Sequence, residues 1–306
     1  MSDHPTEQEV LGYADELKNW GRWGSDDELG TMNFLTDEKT ARAAALVRTG
    51  KRVTCGRPIE FGPTTEAAIP PIRFMISSGE GAAATGRSDA LDFFGLAYHG
   101  MTITHIDGIC HAFWNGLMYN GRPASLVTTR EGAKAGAIEL LRDGIIGRGV
   151  LLDMPRLLGT EWMEPGQGVL PAHLEAAEKA EGVHVEEGDI LLIRTGNYKR
   201  RLTLGPLGDG GPGPHVALLP WIRERGVALL GSDTPNDVLP HPYPNIEWPM
   251  HCIGIVAMGL WLMDNANLEE ISTTCAELSR WEFLLSVSPL RLQGGTGSPV
   301  NPIAVF

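Results

Sequence analysis

With 306 residues, 42% of them hydrophobic and 21% charged, the chain has the composition of an ordinary soluble globular protein with ample material for a core. A net charge of -13 argues against nucleic acid and against anionic membrane surfaces, since both reward clustered Lys and Arg. The opening stretch MSDHPTEQEVLGYADELKNW lacks the apolar core of a signal peptide, and no run of 18 apolar residues offers a membrane span. The four cysteines, Cys55, Cys110, Cys252 and Cys275, are scattered without a C-x-x-C pair, which fits reduced thiols in the cytoplasm.

Residues 1–50 read as an N-terminal extension packed on a single domain that spans 1–306. Between Trp20 and Thr36 the extension is irregular, and Trp23 is expected either in the core or in a pocket wall. Thr36 is an N-cap, with Asp37 and Glu38 at the positive end of the helix TDEKTARAAALVR, which stops at Gly50. From about Val53 to Gly100, strands alternate with the loop-like pieces PTTEAAIPP and SSGEGAAATGRSD.

The next stretch, HGMTITHIDGICHAFWNG, concentrates the chemistry. In an extended strand, Ala97, His99, Met101, Ile103, His105 and Asp107 point to one face. His105 and Asp107 then offer a nitrogen and an oxygen to a single cation, a mix that suits zinc or manganese. Gly108 lets the chain bend, and His111 can swing back over the same point. Two half-buried histidines and an Asp capping the following turn are the plainer explanation of the same spacing. Phe113, Trp114 and Tyr119 follow closely and are either core or pocket wall.

Further on, Glu131–Arg142 reads as a helix ended by Gly144, and Gly149–Asp153 as a strand. A helix from Pro171 to about Ala180 follows, with Pro at a first helical position. GDILLIRTG is a buried strand by its continuous apolar run. Thr203–Pro214 is a glycine-rich loop, Val216–Arg225 a helix and Val227–Leu230 a strand. Asn267-Leu-Glu-Glu270 has the spacing of a capping box and opens the last helix. The C-terminal PVNPIAVF is strand-like and expected to be ordered and buried. The alternation is only partial, so the fold class is α/β with a mixed sheet.

The HGMTITHIDGICH stretch resembles the signature H-x-G-T-H-x-D-x-P-x-H-F of the cyclase-type metal-dependent hydrolases, a family that includes kynurenine formamidase, isatin hydrolase and trans-dienelactone hydrolase. It matches at Thr104, His105, Asp107 and His111, and departs at Met101 (His in the signature), Ile103 (Gly) and Ile109 (Pro). NWGRWGSDDELGTMNFLT, GDILLIRTG and PLRLQGGTGSPVNPIAVF extend the resemblance over nearly the whole chain. It implies a swivelling β/β/α architecture. It also implies a second metal position served by His251, with Asp264 where the family has Glu.

Taken together, these readings give a hydrolase that uses a divalent Zn or Mn ion to cleave a cyclic amide, lactone or N-acyl/N-formyl bond of a small, aromatic molecule. His105 and Asp107 are ligands, and His111 or His251 completes the shell. His111 serves as general acid/base or as a ligand, which spacing does not separate, and Asp264 joins it in catalysis. His99, Phe113, Trp114, Tyr119 and Trp23 face the substrate. The expected partners are a small molecule and further copies of the chain, as a dimer or tetramer, with neither nucleic acid nor membrane. A metal-free lyase, isomerase or cyclase, or a non-catalytic binder on the same fold, is the alternative. A Cys–His nucleophile is disfavoured because Cys110, next to His111, points away from the site on an alternating strand.

Overall fold

In the computed structural model, which describes residues 4–306 apart from 68, 87, 207 and 209, a nine-stranded mixed sheet organises the chain. Residues 68, 87, 207 and 209 belong to the three segments read as loops, and those positions lie outside the described residues. The strands of at least three residues are β1 (Arg52–Thr54), β2 (Ile72–Ser77), β3 (Leu91–Gly95), β4 (His105–Asp107), β5 (Ile145–Asp153), β6 (Ile190–Arg194), β7 (Leu229–Ser232), β8 (Trp261–Asp264), β9 (Glu282–Val287), β10 (Gly297–Pro299) and β11 (Ile303–Val305). In space the sheet runs β1-β11-β9-β5-β6-β7-β8-β4-β10, while β2 and β3 pair only with each other.

The middle of the sheet, β5 to β8, is parallel. Parallel strands are covered on both faces, which requires near-continuous apolar runs. Val150–Leu152, Ile190–Ile193, Leu229, Leu230 and Trp261–Met263 supply them, all completely buried. The helices Asp37–Ala44 and Pro171–Glu181 pack against β5, the second starting at Pro171 as its sequence requires. The C-terminal strand β11 lies between β1 and β9, with Ala304 within it and Phe306 just after it buried. Residues 4–50 dock through specific bonds: Trp20 Nε1 donates to the Val256 carbonyl at 2.7 Å, and Thr31 Oγ1 to that of Ala228 at 2.7 Å. Among the described residues no helix is long and apolar enough to cross a membrane.

Some local expectations fail for tertiary reasons. The helix expected over Glu131–Arg142 is replaced by a short ladder, Val127–Thr128 with Gly132–Ala133, and a 3-10 turn at Ile138–Leu141. Gly132 and Gly136 sit at φ 72° and 66°, a conformation that glycine alone adopts freely and that no helix continues through. Gly136 N–H donates to Glu28 Oε2 rather than to a helical carbonyl. The capping box expected at Asn267 does not form: Asn267 Oδ1 accepts from Glu269 N–H at 3.3 Å rather than from Glu270, Asn267 N–H donates to the Cys55 carbonyl, and the helix begins after Leu268. The helix after Thr36 ends at Ala44, short of Gly50.

The extended strand expected over Ala97–Asp107 shortens to His105–Asp107. Its upstream carbonyls are claimed by remote side chains instead of a ladder. Asn265 Nδ2 holds the Gly100 carbonyl at 2.6 Å, and an Arg57 guanidinium nitrogen holds that of Met101 at 3.0 Å. Gly100, at φ 145°, takes the bend this demands.

Candidate metal centre

At the end of the sheet β4 runs antiparallel to both β8 and β10. The registers set His105 opposite Asp264 and Pro299, and Asp107 opposite Leu262 and Gly297. Directly opposed residues share a face, so His105, Asp107 and Asp264 meet without further adjustment. This is also where the parallel strands β7 and β8 reach their C-terminal ends, the position at which open α/β sheets collect binding residues. The chain leaving β7 supplies Asn236 and Asp237. The π-helical turn Met250–Ile255 adds His251, and Asp237 Oδ1 accepts from Met250 N–H at 3.1 Å to fix that turn.

The functional atoms converge on Asp107. His99 Nδ1 lies 2.9 Å from Asp107 Oδ1, His105 Nε2 3.5 Å from the same oxygen, and His251 Nε2 3.4 Å from Oδ2. Asp264 Oδ2 is 3.8 Å from His105 Nε2 and 3.5 Å from His251 Nε2. Two sets of ligand atoms lie within 4.8 Å of one another: His99, Asp107 and His111, and His105, Asp107 and Asp264. The His111 ring stacks on that of His99, centroids 3.9 Å apart and 6° from parallel.

The electrostatics call for a cation. Asp107 is 1% exposed, and neither of its oxygens has a hydrogen-bond partner. Burial pushes its carboxyl upward, but the charge of His111 and the contacts with His251, His99 and His105 outweigh burial and hold it well below the usual range. Burial brings the His111 imidazole down to about 4, against the pull of Asp107. For His251 burial acts downward, but contacts with Asp107, Asp237 and Asp264 raise it well above an ordinary histidine. Asp107 faces histidines only, Asp264 faces His105 and His251 through one oxygen and Asn236 through the other, and no Lys or Arg lines the cavity among the described residues. This donor set, imidazole plus carboxylate with orphaned oxygens, fits a divalent ion such as Zn or Mn.

The Cyclase family model matches residues 39–236. A crystal structure described as a novel cyclase is 31% identical, with a TM-score of 0.88 over 95% of this chain and 100% of that one. The protein belongs to the cyclase family. Isatin hydrolase A from Ralstonia solanacearum shares the fold at 21% identity, with a TM-score of 0.58 over 84% of this chain and 92% of its own. A structure from Bacillus stearothermophilus described as a predicted metal-dependent hydrolase shares it at 14% identity, with a TM-score of 0.54 over 84% and 98% of the two chains. No curated protein sequence matches.

In this cyclase-family chain the centre opens into a cavity of about 430 Å³ walled by Met101, Ala112, Phe113, Pro235 and Trp248. Trp248 stands edge-on to His251, ring centroids 5.7 Å apart. Of the residues singled out from sequence, His99, His105, Asp107, His111, Phe113, His251 and Asp264 all line this cavity. Trp23, Trp114 and Tyr119 lie outside the lining. Trp23 packs edge-on against Phe34 at 5.1 Å, Trp114 leans on the main core, and the buried Tyr119 donates its hydroxyl to Asp27 Oδ2 at 2.9 Å. Cys110 is buried and its thiol is pushed up to about 12 by burial, while that of Cys252 is pushed up to about 11 for the same reason, so neither is a ready nucleophile.

Residues beyond the sequence reading complete the centre. Asp237 Oδ2 accepts from His251 Nδ1 at 2.8 Å, and Asn236 Nδ2 donates to Asp264 Oδ1 at 2.7 Å. The polar run Asp233-Thr-Pro-Asn-Asp237, straight after the apolar strand β7, was the available signal for both.

Proposed function

We propose that this protein is a divalent-metal-dependent hydrolase that opens a lactone or cyclic amide, or cleaves an N-acyl or N-formyl bond, in a small aromatic molecule. One observation carries the reading: the two buried, unpartnered oxygens of Asp107 facing ring nitrogens of His99, His105 and His251, in a cavity lined by no Lys or Arg among the described residues. His105, Asp107, His251 and Asp264 would hold the ion. When bound, it supplies Lewis acidity toward a carbonyl and acidifies water, to a pKa near about 7 in the case of zinc.

The chain's own groups do the rest. No hydrogen bond holds the His111 ring among the described residues; it is positioned by stacking on His99. Kept neutral by burial, it takes a proton from the attacking water and returns it to the leaving nitrogen or oxygen. Asp237 and Asn236 fix the orientations of His251 and Asp264. Phe113, Trp248 and Met101 offer apolar contact to a flat ring. The shared fold of isatin hydrolase A, a protein named for the hydrolysis of isatin, supports the same substrate class.

Elemental analysis of the unchelated protein should find Zn or Mn, and the His105→Ala variant should lose it. Turnover of a lactone and formanilide panel should disappear on chelation and return with added cation. Full activity in metal-free protein would overturn the reading.

A further inference from the structure

We propose that His99 is a cation ligand in this chain, filling the place that the family signature assigns to position 101, here Met101. This rests on the metal-dependent reading above and reverses the expectation from sequence, which placed His99 against the substrate. On an extended strand, residue 99 would sit about 6.6 Å behind residue 101, at roughly 3.3 Å per residue. The actual path removes that gap. The Gly100 and Met101 carbonyls are pinned by Asn265 and Arg57, the chain bends at Gly100, and His99 Nδ1 ends 2.9 Å from Asp107 Oδ1. That close pair is not aligned as a hydrogen bond, and both atoms are buried without any other partner.

The environment of the ring is that of a prepared ligand. A metal-binding histidine typically donates its second ring N–H to a fixed acceptor, which sets the tautomer and aims the other nitrogen at the ion. Three rings here share that pattern. His105 Nδ1 bonds the Ile103 carbonyl at 2.8 Å, His251 Nδ1 bonds Asp237 at 2.8 Å, and His99 Nε2 bonds Thr296 Oγ1 at 3.1 Å. In each the remaining nitrogen faces Asp107. His111, although its ring nitrogen lies within 4.8 Å of the ligand atoms of His99 and Asp107, has no such bond among the described residues, and on that ground it is read as the acid/base. The seat for His99 is also shaped: a Cβ added at Gly297 would lie 2.8 Å from His99 Cε1, so glycine at this point of β10 leaves room for the ring beside Asp107.

Met101 is a poor substitute on chemical grounds. It lines the same cavity, but a thioether is a soft donor, mismatched to a Zn or Mn ion that also takes carboxylate.

The test uses the full chain stripped of metal and titrated with Co(II), reading stoichiometry and the visible absorption of the bound ion. Wild type should bind. His99→Ala should lose the ion or bind with a changed spectrum, and adding Met101→His to it should restore uptake. Thr296→Val, which leaves the ligand but removes its orienting bond, should weaken binding by about 10–100-fold. A His99→Ala protein with wild-type affinity and spectrum overturns the assignment while leaving the metal reading intact. If that variant does not fold, wild-type affinity and spectrum in Thr296→Val overturn the assignment instead. Wild-type protein that takes up no divalent ion overturns the metal reading and this inference with it.

Discussion

On the edge formed by β8, β4 and β10, His105, Asp107 and Asp264 are at most 3% exposed, whereas on the β2–β3 hairpin Phe74, Phe93 and Phe94 are 55%, 43% and 56% exposed. The two regions are close in sequence, separated by Leu96–Thr104, and they invert the usual link between polarity and burial. The edge belongs to a nine-stranded sheet with covering elements on it, so even charged side chains there are enclosed. Enclosure is tolerable because Asp237, Asn236, Thr296 and the Ile103 carbonyl occupy the outward-facing polar atoms, leaving only those that face one another. The hairpin pairs only with itself. Phe74 and Phe93 stack at 5.0 Å on one face, while Phe94 stands opposite Arg73 on the other, and among the described residues no third layer covers either. Burial in this protein follows from which layers meet, and polarity then sets what each buried atom needs.

The sharpest way to probe the edge is to separate proton transfer from ligation. His111→Asn should lower kcat by about 10²–10⁴ with the cation content unchanged, measured by steady-state kinetics alongside elemental analysis. Loss of the ion in that variant would move His111 into the shell and erase the distinction between bonded and unbonded rings. A smaller effect is expected one bond further out. Asp237→Ala removes the acceptor that orients His251 and should weaken cation affinity by about 10–100-fold in a competition against a chelator. Unchanged affinity would mean that the enclosed polar atoms do not depend on their outer partners.

The smallest change is expected on the hairpin. Phe74→Ser combined with Phe94→Ser alters exposed positions only, and each should shift stability by no more than about 0.5 kcal/mol in thermal unfolding. A much larger loss would break the comparison from the other side. It would mean that the hairpin is covered in solution, and the homo-oligomer expected from sequence would be the first candidate for what covers it.

The family, the α/β class and half of the centre were legible in the residues alone. The continuous apolar run of β6 determined a buried strand, because such a run is soluble only when both faces are covered, while β8 was not read as a strand. The spacing of His105 and Asp107 determined a shared face, because strand side chains alternate with period two. Local periodicity stops there. Whether Ala97–Thr104 continues the strand depends on Asn265, 165 residues from Gly100, and the aim of His99 depends on Thr296, 197 residues away. The helix expected over Glu131–Arg142 was lost to the same kind of remote claim, Glu28 reaching Gly136 across 108 residues. Tyr119 looked like a pocket wall by proximity, yet its hydroxyl is drawn to Asp27. A sequence pattern records which faces one element presents. Only the packed chain decides which distant side chains capture its backbone and therefore where an irregular segment points.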